Sequence, residues 1–268
     1  MKVLTTKLVK EEAKIIYQET AGLAIITIRR PQAKNALTAK MWDELRRIAL
    51  QALENPKNKV LILRGYGQQF TAGSDLKEFN SISLEKSEEA FLHMEKTIST
   101  IEHLPLPTIA VINGPAMGAG LELALACDIR IGSDKAKLGI PVGKLGITLN
   151  NKFAARLVNL IGPSMTKDLV FTGKLLKTEE AYRVGMLNYI TQEKDLDRYA
   201  IRLGKLVASM SPASLLAVKK SVQECVDSAP VLWKSSTPFV DQYDFPEGVL
   251  AFVEKRTPQF TRLPINKR

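Results

Sequence analysis

The sequence predicts an α/β fold whose carboxyl-terminal part is helical, and three observations lead to this prediction. Short apolar or β-branched runs at residues 23–28, 60–63 and 108–112 have the length and composition of buried strands. Glycine-rich stretches and segments of helical periodicity separate these runs. From residue 152 onward amphipathic helical patterns dominate and strand patterns are few. We therefore expect an α/β core followed by a helical extension.

The individual elements are predicted from local patterns. Gly22 separates two strand-like runs and predicts a hairpin, and Thr38 is suited to cap the first helix, which ends before Pro56. Pro105 and Pro107 end the helix that precedes the strand at 108–112. The predicted strands are 14–17, 23–28, 60–63, 108–112, 128–131 and 136–138, and the predicted helices are 38–55, 88–103, 121–127, 153–160, 165–172, 178–184, 196–210 and 213–226.

The composition is typical of a soluble globular protein, with 45% hydrophobic and 25% charged residues in a chain of 268. No run reaches the roughly eighteen apolar residues of a membrane span, and residues 1–10 lack the apolar segment of a secretory signal. We therefore expect a cytoplasmic protein. Cys127, Cys225 and the two histidines are too few for a disulfide framework or a histidine-based metal site, so we expect no metal.

The net charge of +10 is the one unusual feature of the composition. It could attract nucleic acid, a membrane surface or a polyanionic small molecule. The lysines and arginines are scattered, and no basic run is interleaved with aromatic residues, which make up only 6% of the chain. We therefore expect no nucleic-acid partner and no membrane partner. The charge mainly solubilises the surface, and a polyphosphorylated ligand is its best functional use.

Two glycine-rich stretches, residues 70–78 and 113–122, each follow a strand-like run. Glycines between a strand and a helix let the backbone approach a ligand and leave the first helical N–H groups free to bind an anion. Neither stretch has the glycine spacing of a dinucleotide-binding or P-loop motif. The alternative is that both are tight turns that need glycine only for their geometry.

Glu122 is the one charged residue in the apolar helical segment 121–127. Burial would raise the pKa of its carboxyl group toward the range that is useful for moving protons at neutral pH. The alternative is a first-turn glutamate that only satisfies N–H groups of its helix.

Five motifs follow one another along nearly the whole chain: residues 30–37, 70–78, 113–128, 137–141, and 247–256 with Pro258 and Phe260. Their order and spacing resemble those of the enoyl-CoA hydratase/isomerase, or crotonase, superfamily. The resemblance implies a crotonase-like spiral of ββα units in residues 1–200, which would hold an acyl-CoA site. It also implies a helical region in residues 201–268 that packs subunits into trimers or hexamers.

The resemblance further implies an enzyme of fatty acid metabolism, a lyase or isomerase that acts on an acyl-CoA thioester. No separate cofactor is expected, because coenzyme A is part of the substrate. Two backbone N–H groups that hold the thioester oxygen, an oxyanion hole, fall at Ser74 and Ala119, and Glu122 is the expected proton carrier. The residues expected to contact the substrate are Gln32, Ala33, Ala72, Gly73, Ser74, Asp75, Leu76, Lys77, Gly118, Val142 and Asn150.

Four other polar residues could be taken for catalytic groups. Asp75 and Asp128 are better interpreted as residues whose side chains form hydrogen bonds to the local backbone. Asp75 is expected to contact the substrate as well. His93 and His103 are interpreted as ordinary helix residues; the alternative for His93 is a catalytic role, because some members of the family place chemistry in the segment around it.

The resemblance fails at one catalytic position. Hydratases of the family use two glutamates, of which the first corresponds to Glu122 and the second would follow Pro141, where this chain has Val142. Valine cannot transfer a proton, and Asn150 or Asn151 could only orient a water molecule. Three interpretations remain, with hydration ranked first. They are hydration with Glu122 alone as acid and base, another enolate reaction such as isomerisation, decarboxylation or hydrolysis, and acyl-CoA binding without turnover.

Overall fold

The structure is a computed structural model that describes residues 13–80, 82–227 and 240–260. The ends of the expected domains at 1–12 and 261–268, and residues 228–239, lie outside the described residues. The strands are β1 (Lys14–Thr20), β2 (Leu23–Arg29), β3 (Val60–Gly65), β4 (Thr108–Ile112), β5 (Pro115–Met117), β6 (Ile129–Ser133), β7 (Lys137–Gly139), β8 (Leu175–Lys177) and β9 (Tyr189–Thr191). The helices are α1 (Ala39–Gln51), α2 (Leu76–Phe79), α3 (Leu84–Glu102), α4 (Ala119–Leu125), α5 (Asn151–Thr172), α6 (Thr178–Arg183), α7 (Leu196–Ala208), α8 (Pro212–Asp227) and α9 (Asp244–Glu254).

The strands form two sheets. Within the described residues six strands join in the order β1-β2-β3-β4-β6-β9, where β1 and β2 form the expected antiparallel hairpin and the later pairs are parallel. A smaller sheet has the order β5-β7-β8. Because β3 and β4 are parallel neighbours, their carboxyl ends lie side by side. The two glycine-rich stretches that follow them therefore begin at the same edge of the sheet.

The large sheet is buried on both faces. Leu61 and Leu63 of β3 belong to the main core with α1 and α3, whereas Val60 and Ile62 pack on the other face against α7. Strands that are covered on both faces need continuous apolar runs, which explains why β3 and β4 are recognisable in the sequence. The expected α/β fold class is confirmed.

Differences from the predicted elements are local. Helix α3 begins at Leu84 rather than at residue 88, because the Ser83 side chain accepts a hydrogen bond from Lys86 N at 3.3 Å and caps the helix there. Helix α5 covers both helices expected between 153 and 172, and its backbone is broken at Gly162, where φ is 74°. Strands β5, β8 and β9 span three residues each, too few for a recognisable period.

The two carboxyl-terminal helices differ in how they pack. Helix α9 packs the edge of Phe245 against the stacked rings of Phe79 and Phe91, with centroids 5.8 and 6.0 Å from theirs. Helix α8 buries none of its described side chains, and Val218 and Val222 are 61% and 57% exposed. Among the described residues no single helix is long and apolar enough to cross a membrane, and α7 and α8 reach that length and composition only as a pair bent by 101°.

Candidate active site

The two glycine-rich stretches pass each other backbone to backbone. Met117 N donates a hydrogen bond to Thr71 O at 3.1 Å. A methyl group at Gly73, where φ is +89°, would lie 2.9 Å from Met117 O and 3.2 Å from Ala119 N. A methyl group at Gly120 would lie 2.4 Å from Thr71 O. Glycine is therefore required for the close approach itself, which decides against the simpler interpretation of two separate turns.

The backbone N–H groups of Ser74 and Ala119 belong to these two stretches. Leu37 N donates to Gly73 O and Asp75 N donates to Leu37 O, both at 2.8 Å, so the bonds of this ladder come from the residues on either side of Ser74. Ala119 is the first residue of α4 after its cap Gly118, and an N–H in that position has no acceptor within its own helix. Neither N–H group is therefore used in the hydrogen bonds of its own ladder or helix.

The first motif lies against the second, which brings together most of the residues expected to contact the substrate. Besides the ladder at Leu37, Ala72 N donates to Lys34 O at 3.1 Å. The Asn35 side chain donates to the carbonyl oxygens of Tyr66 and Gln69, each at 2.9 Å. Of the expected contact residues Gln32 and Lys77 are exposed and Ala33, Ala72 and Leu76 are half-buried.

The two aspartates have structural contacts. Asp75 caps α2 by accepting from Lys77 N at 3.1 Å and pairs with Arg30 at 2.7 Å. Asp128 accepts from Thr108 N at 2.7 Å and from Lys219 Nζ at 2.9 Å. Their carboxylates hold backbone and basic side chains in place, as expected from the sequence. Whether Asp75 also contacts a substrate stays a prediction.

The two histidines also lie where helix-surface residues lie. His93 is exposed on α3, with its Nδ1 3.6 Å from Asp43 Oδ1, and His103 is exposed and contacts Ser99 O at 2.7 Å. These contacts agree with the interpretation that both are ordinary helix residues.

Glu122 is 1% exposed and lies three residues after Ala119 in the first turn of α4. Side chains on a helix incline toward its amino-terminal end, so the carboxyl group is directed toward the end that carries Ala119 N. Burial raises the pKa of Glu122 well above its usual range, and the negative charge of Glu95 raises it further, while Arg156 acts in the opposite direction. A buried carboxyl group that keeps its proton can act as an acid near neutral pH.

Sequence reasoning missed two residues that surround Glu122. Arg156 of α5 donates through Nη1 to Glu122 Oε1 at 2.7 Å, and through Nη2 to Glu95 Oε1 of α3 at 2.9 Å and to Glu102 Oε2 at 2.7 Å. Each missed residue stands on the apolar face of its helix. Glu95 lies four residues after the buried Phe91 and three before the buried Ile98, and Arg156 lies three residues after the buried Phe153. A charge within an apolar stripe was the signal that could have identified them.

The ionised forms of Glu95 and Arg156 stabilise each other. Burial opposes ionisation of Glu95, but the hydrogen bonds and charge of Arg156 hold the pKa of Glu95 below its usual range. Burial also opposes the positive charge of Arg156, but hydrogen bonds to Glu102 and Glu95 raise its pKa above the usual range. Glu95 and Arg156 therefore form an ion pair beside Glu122, whose pKa is raised.

The position of the missing second glutamate is filled by an apolar side chain. Val142 is 8% exposed and belongs to the main core. Asn150 caps α5 by accepting from Phe153 N at 2.8 Å, and its amide nitrogen is 3.4 Å from Glu95 Oε2. The amide of Asn150 is thus held at both ends, and its role in orienting a water molecule stays a prediction.

Comparison with known proteins decides the family. The profile of the family described as enoyl-CoA hydratase/isomerase matches residues 18–263. The chain belongs to this family. The crotonyl-CoA hydratase of Syntrophomonas wolfei is 34% identical over 92% of this chain and 97% of its own length. The enoyl-CoA isomerase/hydratase fer4 of Mycosarcoma maydis is 32% identical over 91% of this chain and 94% of its own length.

A solved structure of the family has the same fold. The crystal structure of an enoyl-CoA hydratase/carnithine racemase from Magnetospirillum magneticum superposes with a TM-score of 0.78 at 29% identity, covering 94% of this chain and 96% of that one. The expected crotonase-like architecture is confirmed over the described residues. The division at residue 200 and the roles of individual site residues stay predictions.

Proposed function

We propose that this protein catalyses the reversible hydration of an enoyl-CoA thioester, with Glu122 as its proton carrier. The observation that carries the proposal is the buried carboxyl group of Glu122 one helical turn from Ala119 N, where the backbone of α4 meets that of Gly73. The family match and the relative named crotonyl-CoA hydratase support the choice of substrate class.

In this proposal the N–H groups of Ser74 and Ala119 bind the thioester oxygen. Hydration adds water at Cβ and places negative charge on that oxygen before Cα is protonated. Fixed N–H donors in a buried site stabilise such charge better than water does, since they need no reorganisation. Coenzyme A arrives as part of the substrate, so no separate cofactor is required.

A second candidate is another reaction through the same enolate, such as isomerisation, decarboxylation or hydrolysis. Two observations favour it: the apolar Val142 and the similarity to a relative named isomerase/hydratase. A neutral Glu122 could protonate an enolate at Cα or Cγ without a second carboxylate. Product analysis with a conjugated and a non-conjugated enoyl-CoA separates this candidate from hydration.

The test is the loss of enoyl-thioester absorbance when the purified protein is mixed with crotonyl-CoA. We expect a turnover between about 1 and about 1,000 per second. Glu122→Gln should lower it by at least about one hundred-fold, because it removes the acid. Glu179→Gln, on the exposed surface of α6, is the matched control and should retain the wild-type rate. Binding of crotonyl-CoA without turnover would favour a non-catalytic role and reject the proposal.

We also propose that copies of this chain associate through α8, with the trimer as the expected unit. The exposed Val218 and Val222 lie one turn apart on a helix that buries none of its described side chains. Introducing Asp at both positions should convert a trimer to monomers in light scattering. Lys220→Asp on the opposite face is the control and should leave the mass unchanged. An unchanged mass in the double variant would reject α8 as the interface.

A further inference from the structure

Three carboxyl groups share the single guanidinium of Arg156. The side chains of Arg156, Glu122 and Glu95 are 7%, 1% and 9% exposed, and that of Glu102 is 20% exposed. Three ionised carboxylates would leave two negative charges in excess of one arginine. Lys152 is the next basic group, with its Nζ 3.9 Å from Glu95 Oε1 at the exposed edge. Excess charge in a buried site is costly, so one of the carboxyl groups keeps a proton.

The hydrogen-bond donors around each carboxyl group show which one keeps the proton. Glu95 accepts from both terminal nitrogens of Arg156 at 2.9 and 3.3 Å, and from Ser99 Oγ at 2.8 Å. Glu102 accepts from Arg156 at 3.0 and 2.7 Å and is partly exposed. Glu122 has one such donor, Arg156 Nη1, and is the most buried of the three. Since donors stabilise the ionised form, the proton stays on Glu122.

Arg156 joins Glu122 and Glu95 through its two terminal nitrogens, so the negative charge of Glu95 lies near Glu122 and raises its pKa. A like charge close to a carboxyl group disfavours its ionised form. The charge of Glu95 therefore helps to keep the proton on Glu122.

We propose that Glu95 is a positioning residue that keeps Glu122 protonated, and that this buried pair on α3 and α4 compensates for the carboxylate missing at Val142. The inference rests on the proposed hydration. In that reaction a neutral Glu122 gives the proton on one oxygen to Cα and takes a proton on its other oxygen from the water that bonds to Cβ. One O–H bond of water, one O–H bond of Glu122 and the π bond between Cα and Cβ break, while a C–O, a C–H and a new Glu122 O–H bond form. Glu122 remains neutral, and Glu95 remains ionised throughout.

Few charged groups lie close enough to Glu122 to affect its protonation. From α3 Glu95 faces Glu122, and from α5 Arg156 does. Strand β5, which packs against α4, carries no titratable side chain. Glu102 and Lys152 contact Arg156 and Glu95, respectively. Glu102 is therefore a matched control for Glu95, because both carboxylates bind the same arginine at short distance.

The direct test is infrared titration of the full-length protein, with Glu122→Gln used to assign the C=O band of protonated Glu122. In the wild type this band should persist at neutral pH. In Glu95→Gln it should disappear at a pH at least about one unit lower, because a neighbouring negative charge is lost. In Glu102→Gln the shift should be less than half as large. Absence of the band at neutral pH in the wild type would overturn the inference, even if Glu95→Gln does not fold. Equal shifts of the band in Glu95→Gln and Glu102→Gln would also overturn the inference.

The pH dependence of crotonyl-CoA hydration separates the inference from the proposed function. Because the neutral form of Glu122 is the active one, activity should fall as Glu122 ionises at high pH. Glu95→Gln should move this fall to lower pH by the same interval as the infrared band. If no enoyl-CoA is hydrated but the band behaves as expected, the proposed function fails, whereas the inference that Glu95 keeps Glu122 protonated is supported. If hydration occurs but Glu95→Gln leaves band and profile unchanged, the inference fails.

Discussion

The indole N–H of Trp42 donates a hydrogen bond to the hydroxyl oxygen of Ser74 at 3.1 Å. Trp42 is buried in α1, and Ser74 Oγ donates in turn to Met94 Sδ of α3 at 3.4 Å. Two core helices thus hold the side chain of a residue whose backbone N–H we assign to the oxyanion hole. The rigid core, rather than the loop itself, determines where that N–H points.

Trp42→Phe should therefore lower kcat, although Trp42 acts only through Ser74. Loss of the indole donor frees the Ser74 side chain, and a small displacement of the reacting groups costs up to about one hundred-fold in rate. We expect kcat for crotonyl-CoA to fall while KM changes little. Thr97→Val is the control, since Thr97 Oγ1 donates to Trp42 O at 3.1 Å without touching the loop. An equal loss of kcat in both variants would contradict the prediction.

Gly73→Ala should separate the two glycine-rich stretches. Its methyl group would lie 2.9 Å from Met117 O and 3.2 Å from Ala119 N, so the oxyanion donors must move apart. We expect a loss of about one hundred- to one thousand-fold in kcat, the usual effect of losing one donor. Gly67→Ala has a similar positive φ of +69° but meets no atom within 4 Å, so it should cost stability alone. Steady-state kinetics and thermal unfolding of both variants check this.

Val142→Glu should increase hydration if a missing carboxylate limits the rate. A second acid or base at this position contributes about one hundred-fold or more in favourable cases, and we expect a gain of at least about ten-fold. The new carboxyl group is buried, so the free energy of unfolding should fall. The control is Val142→Gln, because glutamine has nearly the same shape as glutamate but cannot transfer a proton. This variant should lose stability without a gain in the rate of hydration. A gain in both variants would point to pocket shape instead.

The raised pKa of Glu122 makes stability depend on pH. Above the ordinary pKa of 4.5 the unfolded chain loses this proton while the folded protein keeps it. The folded state then binds more protons, so the free energy of unfolding falls as pH rises through the folded-state pKa. Glu122→Gln cannot ionise, and its stability relative to the wild type should increase as the pH rises from 4.5 toward the folded-state pKa of Glu122. Urea denaturation across this range measures the difference, and a constant difference would refute the shift.

The residues of the candidate site fall into two classes by how far the sequence predicts them. The glycine-rich stretches and Glu122 depend on neighbours in the chain, such as the apolar runs of β3 and β4, and so can be predicted locally. Arg156 and Glu95 are 61 residues apart, and their contact exists only because α3 and α5 pack against α4. Periodicity identifies the apolar face of each helix, but not which face meets which. Partners across helices therefore could not be predicted.

Arg156 connects three helices, because it binds carboxyl groups on α3 and α4 from its own position in α5. The anchoring of these helices and the charge state of Glu122, the proposed catalytic acid, thus depend on one side chain. Substitutions at Glu95, Glu122 and Arg156 should be strongly non-additive, with interaction energies up to about 3 kcal/mol. A single substitution at one of these three residues is therefore unsuited to introduce a new reaction, because it also weakens the contacts between the helices. A change of chemistry in this scaffold is accessible mainly through combined replacements that keep the three helices joined.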